Sequence, residues 1–201
     1  MGYLCKCERQ FDSNATEIVI GEIGHNGGPS LEGGASWRRH CWSSARARLL
    51  PTLPIEVVRL RVKRAQALGL DYRTYAGVRA ATGHDVVAFL FSSNALRVSV
   101  LRPAIPEARA AKLAEVACGR LALAVAPLTP GMLEAANPVL DGVWPAPYAL
   151  AGFGEMRDRV RAALGKVPPD QVILVGDLGL ERDWCVAGRL AGYLPAERYF
   201  G

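Results

Sequence analysis

Apolar positions change their period near residue 83, and the change divides the chain into a helical part and a part of alternating character. Before it, Val62, Ala65, Leu68 and Leu70 supply the apolar face of a helix of about 3.6 residues per turn and its exit, and Tyr75 and Val78 give a second helix an inward face a few residues later. Gly69 lies between the two segments, where a residue that tolerates positive φ lets the chain bend, and Asp71 stands where its carboxylate can cap the second helix. Residues 59–80 are therefore expected to form helix, tight turn, helix, with Ala65 as the small residue at the crossing. After Gly83 the runs DVVAFLFSS (85–93), RLALAVAP (120–127) and QVILVGD (171–177) are almost continuously apolar, as strands buried on both faces must be. Helical patterns follow each of them at 106–118, 129–137, 156–165 and 180–194, the second opened by Thr129 as a cap and Pro130 in the first turn. VWPAPYALAGF (143–153) reads as an extra strand or a lid. The expected fold class is α/β: an N-terminal helical, helix-turn-helix-like module, then a small parallel sheet of three or four strands flanked by helices and joined by right-handed crossovers.

The start of the chain has a different texture. Gly24, Gly27, Gly28, Gly33 and Gly34 with Pro29 disfavour regular structure, so residues 1–35 read as a flexible Gly-rich leader. Ser36 is placed to cap a helix containing Trp37, His40, Cys41 and Ala45 at helical spacing, and Pro51 and Pro54 separate that helix from the next. The expected organisation is leader (1–35), basic helical module (36–83) and small Rossmann-like α/β domain (84–201). No apolar run approaches the ~18 residues of a membrane span, and the first residues lack the basic and apolar regions of a secretory signal. With five cysteines, an odd number, the chain is expected to keep reduced thiols in the cytoplasm. Cys5 and Cys7 with His25, His40 and Cys41 match no zinc-knuckle spacing, so no metal site is expected.

Charge changes the picture of the helical module. Residues 37–80 carry ten basic side chains, nine of them Arg, against Glu56 and Asp71, a net of +8, whereas residues 81–201 are balanced. A positive surface confined to a helical hairpin is the footprint of a nucleic-acid binder, although an amphipathic helix also solvates its outer face with Arg. In the nucleic-acid reading Arg59, Lys63 and Arg64 meet phosphates, while Tyr72, Arg73, Thr74 and Arg79 face the DNA or RNA from the second helix. A second class of function comes from the sheet. Ligands of parallel α/β domains gather beyond the carboxyl ends of the strands, which here places Ser92, Ser93 and Asn94 after the first strand, Pro127 and Thr129 after the second, and Gly176, Asp177 and Glu181 after the third, with Ser92, Ser93, Asn94 and Asp177 singled out. These residues are the candidates for a small phosphorylated ligand, with Asp177 suited to a ribose or a metal-bound nucleotide. No nucleophile, general base or catalytic carboxylate pair is assignable from spacing, so no catalytic residue, reaction or cofactor is specified.

The run Gly24-His25-Asn26-Gly27-Gly28-Pro29, followed by Trp37, His40, Pro54, Arg61, Ala65 and LGLDYRTY (68–75), resembles a group of small uncharacterised bacterial proteins, many of them phage-associated. In that group a GHNGGPPL leader precedes a Trp/His helix and a segment like RxxxAxxLGLTYxEY; here Ser30 replaces the second proline. The resemblance covers about the first 80 residues and implies a shared helical module without an established activity. Three expectations result: a DNA- or RNA-binding regulatory protein whose α/β domain senses a ligand or pairs with a second copy, a small α/β nucleotide-binding protein or enzyme, and a phage-type assembly protein that uses GHNGGPSL for docking.

Overall fold

The computed structural model describes Cys41 and residues 53–201. The leader, the expected Trp37/His40 helix and Arg38, Arg39, Arg46 and Arg48 lie outside the described residues. Helices α1 (Ile55–Ala67) and α2 (Tyr72–Thr82) come first, then β1 (Ala88–Ser92), α3 (Glu107–Glu115), β2 (Gly119–Ala124), α4 (Pro130–Ala136) and β3 (Gly142–Pro145). After these come α5 (Phe153–Leu164), a 3-10 turn at Pro169–Gln171, β4 (Val172–Gly176), α6 (Glu181–Gly188), β5 (Gly192–Pro195) and α7 (Ala196–Phe200). All strand pairs are parallel, in the order β3-β2-β1-β4-β5. The sheet thus has five strands, one more than the upper expectation: GVWP is the extra strand that 143–153 offered as one alternative, and GYLP is a strand where the 180–194 pattern predicted the end of a helix. Each begins with Gly and ends with Pro, a composition that reads locally as turn, and each becomes a strand by pairing with a longer neighbour.

Strand alternation builds two cores from one sheet. Phe89 and Phe91 of β1 and Ile173 and Val175 of β4 pack with residues of α1, α2, α3, α4 and α7, whereas Ala88, Leu90, Val172 and Leu174 pack with α5 and Trp184 of α6. Successive side chains on a strand point to opposite faces, so a central strand covered on both sides has no solvent-facing position. Every residue of β1 and β4 is buried. Helix α6 ends earlier than its sequence pattern, because Gly188 lies against Val160 of α5 and Arg189 adopts a left-handed conformation with φ 55°. A Cβ on Gly188 would stand 2.6 Å from Val160 Cγ1, so this helix pair closes to a distance that only glycine permits.

The first two helices form the expected tight pair. Gly69 turns the chain at φ +65°, and Asp71 accepts a bond from the Thr74 amide at 2.8 Å. Ala65, Leu68, Leu70 and Tyr75 belong to the same core as Phe89 and Phe91, and Leu53–Gly201 is one compact unit. The change of period at Gly83 marks a change of element type inside that unit. Asp85 fastens the pair to the amino edge of the sheet: it accepts from Arg64 Nε at 3.0 Å, Tyr75 Oη at 2.8 Å and the Val86 amide at 2.9 Å. Arg64 also donates to the carbonyls of Ala117 and Val86 at 3.0 and 2.8 Å.

Burial by itself raises the Asp85 pKa, but the bonds from Tyr75 and Val86 and the Arg64 charge outweigh it and hold the carboxyl below its ordinary value. A carboxyl depressed on folding contributes stability above its unfolded pKa of about 3.9, and that contribution is lost as pH falls through the folded value. Wild type is therefore expected to unfold at a higher temperature than Asp85→Asn at pH 7, with the difference shrinking below about pH 4. Parallel melting midpoints from pH 7 to pH 3 would remove this role of the Asp85 charge.

Candidate functional site

Connections from β1 run outward through β2 to β3 on one side, and the chain then returns to place β4 and β5 on the other. The reversal opens a crevice at the carboxyl ends of β1 and β4, the switch point where doubly wound sheets receive ligands. Ser92 is fully buried, and its Oγ accepts from the Ala95 amide at 3.0 Å. Ser93 is also buried, and its Oγ accepts from the Val125 amide at 3.1 Å, tying the exit of β1 to that of β2. Both hydroxyls therefore shape the turn by accepting backbone amides and are not presented to a ligand.

Asn94 is the first residue after β1 with an accessible polar side chain. Its Nδ2 donates to Glu181 Oε1 at 2.9 Å across the switch point. Glu181 is 1% exposed, and its Oε2 accepts from the backbone amides of Asp177 and Leu178 at 2.7 and 3.2 Å. The turn after β4 is thus an amide cradle filled by the protein's own carboxylate. Gly176 makes room for it, since a Cβ there would lie 2.5 Å from Glu181 Oε2 and 2.6 Å from Tyr193 Cε2. Tyr193 Oη donates to the Leu178 carbonyl at 3.3 Å and closes the turn from β5.

Two arginines complete the crevice. Arg97, in a left-handed conformation with φ 57°, brings Nη1 to 3.5 Å from Asp177 Oδ2. Arg109, in the first turn of α3, donates Nη1 to the Ala95 carbonyl and lies 4.5 Å over the Phe200 ring. Burial lowers the Arg109 pKa and the nearby Arg97 charge lowers it further, while Asp177 opposes both. Beside the crevice is a cleft of about 290 Å³ walled by Val98, Val100, Val125, Pro127 and Leu128, with Asn94 at its edge. One wall is the loop closed by the Ser99–Arg102 bridge, which leaves Leu101 93% exposed.

Of the expected ligand residues, Asn94 and Asp177 present polar groups at the crevice, and Ser92 and Ser93 lie beneath it. Arg97 and Arg109 were not singled out by spacing; a basic residue in the first turn of the crossover helix was the available signal for Arg109. Among the described residues, those expected at phosphates divide between two pockets that both include Leu60. Arg59 pairs with exposed Glu56 at 2.9 Å and lines a groove on α1 with Lys63, whereas Arg64 and Arg79 face Asp85 from a different pocket, Arg79 at 3.8 Å. Thr74 bonds to Asp71 and accepts from Arg198 Nη2 at 2.6 Å, Tyr72 is half-buried and Arg73 is exposed. Among the described residues no helix is long and apolar enough to cross a membrane.

Fold and site together define a doubly wound parallel α/β domain with a polar cluster at its switch point. Compared with protein-family models, curated proteins and solved structures, the chain matches none.

Proposed function

We propose that this α/β domain binds a small amphipathic ligand of the nucleotide class in the crevice over β1, β2 and β4. The observation that carries the reading is the meeting of Asn94, Arg97 and Asp177 at the switch point beside an apolar cleft of about 290 Å³. Asp177 offers an acceptor for hydroxyls, Arg97 a donor fork for a phosphoryl or carboxylate group, and the cleft a wall for a base or similar ring. Neither serine hydroxyl is presented beside a base, so the arrangement favours binding over covalent chemistry. Screening nucleotides and phosphorylated metabolites by thermal unfolding is expected to find one that raises the melting temperature; at a hundredfold excess over Kd the gain is about 2.7 kcal/mol. Asp177→Ala and Arg97→Gln are each expected to abolish that rise while leaving the unliganded midpoint close to wild type. A ligand whose stabilisation survives both substitutions binds elsewhere and sinks the assignment.

A second reading, contact with DNA or RNA through α1 and α2, is favoured by the net +8 of residues 37–80 and by exposed Lys63 and Arg73. Retention of nucleic acid in a gel at low ionic strength, weakened by added salt, tests it.

A further inference from the structure

At the opposite edge of the sheet from the crevice, α1 and α2 border a pocket of about 330 Å³ in which Arg61, Arg64 and Arg79 surround a single carboxylate, Asp85. Three guanidinium groups against one carboxylate leave a surplus of two positive charges. The surplus is not shared equally. Arg64 directs its donors to Asp85, Ala117 and Val86, and Asp85 is further engaged by Tyr75 and the Val86 amide. Arg79 comes only to 3.8 Å of Asp85, beyond hydrogen-bond length, and Arg61 makes no ion pair among the described residues. Leu60, 66% exposed, adds an apolar surface next to these guanidinium groups.

We infer that this pocket receives one phosphoryl group, held by Arg61 from α1 and Arg79 from α2, with the Arg64–Asp85–Tyr75 cluster fixing its shape. A phosphate monoester carries about −1.5 to −2 charge at neutral pH and three acceptor oxygens, which suits two forks approaching from different helices. A carboxylate brings half that charge and one plane of acceptors. Among the described residues Arg59 and Lys63 line a second groove of α1 that meets this pocket at Leu60, so an extended polyanion would have to engage both grooves, whereas a single phosphoryl group needs only Arg61 and Arg79. Leu60 beside the forks suits the carbon side of an ester.

The test uses the full chain and titrates inorganic phosphate, phenyl phosphate, acetate and a short DNA duplex. Saturable binding of both phosphates is expected, tighter for the phenyl ester and not matched by acetate. Arg61→Gln and Arg79→Gln should each weaken it about tenfold, the loss of one charge-assisted bond. Arg59→Gln and Lys63→Gln on the other groove, and Asp177→Ala in the crevice, should leave it unchanged, which separates this pocket from the site proposed above. Arg61→Gln breaks no ion pair among the described residues, so its melting midpoint should equal wild type and the arm stays informative even if Arg79→Gln unfolds. Phosphate binding that does not saturate, or that ignores Arg61→Gln, overturns the proposal. Duplex binding with a steep salt dependence that Arg59, Lys63 and Arg61 govern equally replaces the single phosphoryl group with a polyanion.

Discussion

Replacing Glu181 with alanine is expected to destabilise the protein by about 3 kcal/mol, well above the cost of an ordinary surface substitution. The side chain is 1% exposed and holds three donors: the Asp177 and Leu178 amides and Asn94 Nδ2. Removing one partner of a buried hydrogen bond leaves the other to bear its desolvation, about 1–3 kcal/mol for each group that water cannot reach. Leu178 is half exposed and the Asn94 side chain is accessible, so both recover water and the cost falls mainly on the Asp177 amide. Glu181→Gln keeps the volume and one acceptor oxygen but offers an amide group where a second acceptor is needed, and should cost about half as much. Urea unfolding of the two variants and of Asn94→Ala, combined as a double-mutant cycle, measures the coupling between Asn94 and Glu181. A Glu181→Ala midpoint equal to wild type would mean that the carboxylate does not organise the turn. The same variant should also lose ligand-induced stabilisation, since it frees the turn that carries Asp177.

How far the sequence disclosed this arrangement depended on what each residue's role required. Strands β1, β2 and β4 were legible because burial on both faces forces a nearly continuous apolar run, as in AFLFS and VILVG. Edge strands β3 and β5 carry no such run, and their Gly and Pro ends suit turns as well as strands. The tight turn between α1 and α2 was legible because Gly69 and Asp71 each perform a local task, a positive φ and a cap, that few residue types can perform. At the crevice, strand-end position alone located Asn94 and Asp177. The burial of Glu181 was not legible, because a glutamate opening a helix ordinarily faces solvent and gains from the helix dipole. Only the approach of the β1 and β4 exits, through Asn94, draws it inward. The arginines present the opposite case: charge count gave their number, and their directions depended on Asp85, whose position at the sheet edge is a tertiary fact.

Tyr199→Ala is expected to be the most damaging single substitution on the other face of the sheet, at about 3–5 kcal/mol. Its ring lies 5.0 Å from Phe89, 5.6 Å from Phe91 and 4.9 Å from Phe200, centroid to centroid, and the residue is 1% exposed. Truncation removes an aromatic ring from the middle of a packed cluster and leaves a cavity that the flanking rings of a central strand cannot fill. Its hydroxyl donates to the Leu68 carbonyl at 3.4 Å, at the end of α1, so the residue also joins the helical pair to the sheet. Tyr199→Phe keeps the ring and gives up one long bond, and is expected to cost about 1 kcal/mol or less. The pair of variants separates packing from polar linkage. If α1 and α2 share one core with the sheet, Tyr199→Ala lowers the stability of both together, and amides of Tyr75 in α2 and Phe89 in β1 gain the same increment of hydrogen exchange. Should Phe89 lose protection while Tyr75 keeps it, the helical pair holds its structure independently of the sheet, and the basic hairpin regains its standing as a separate module.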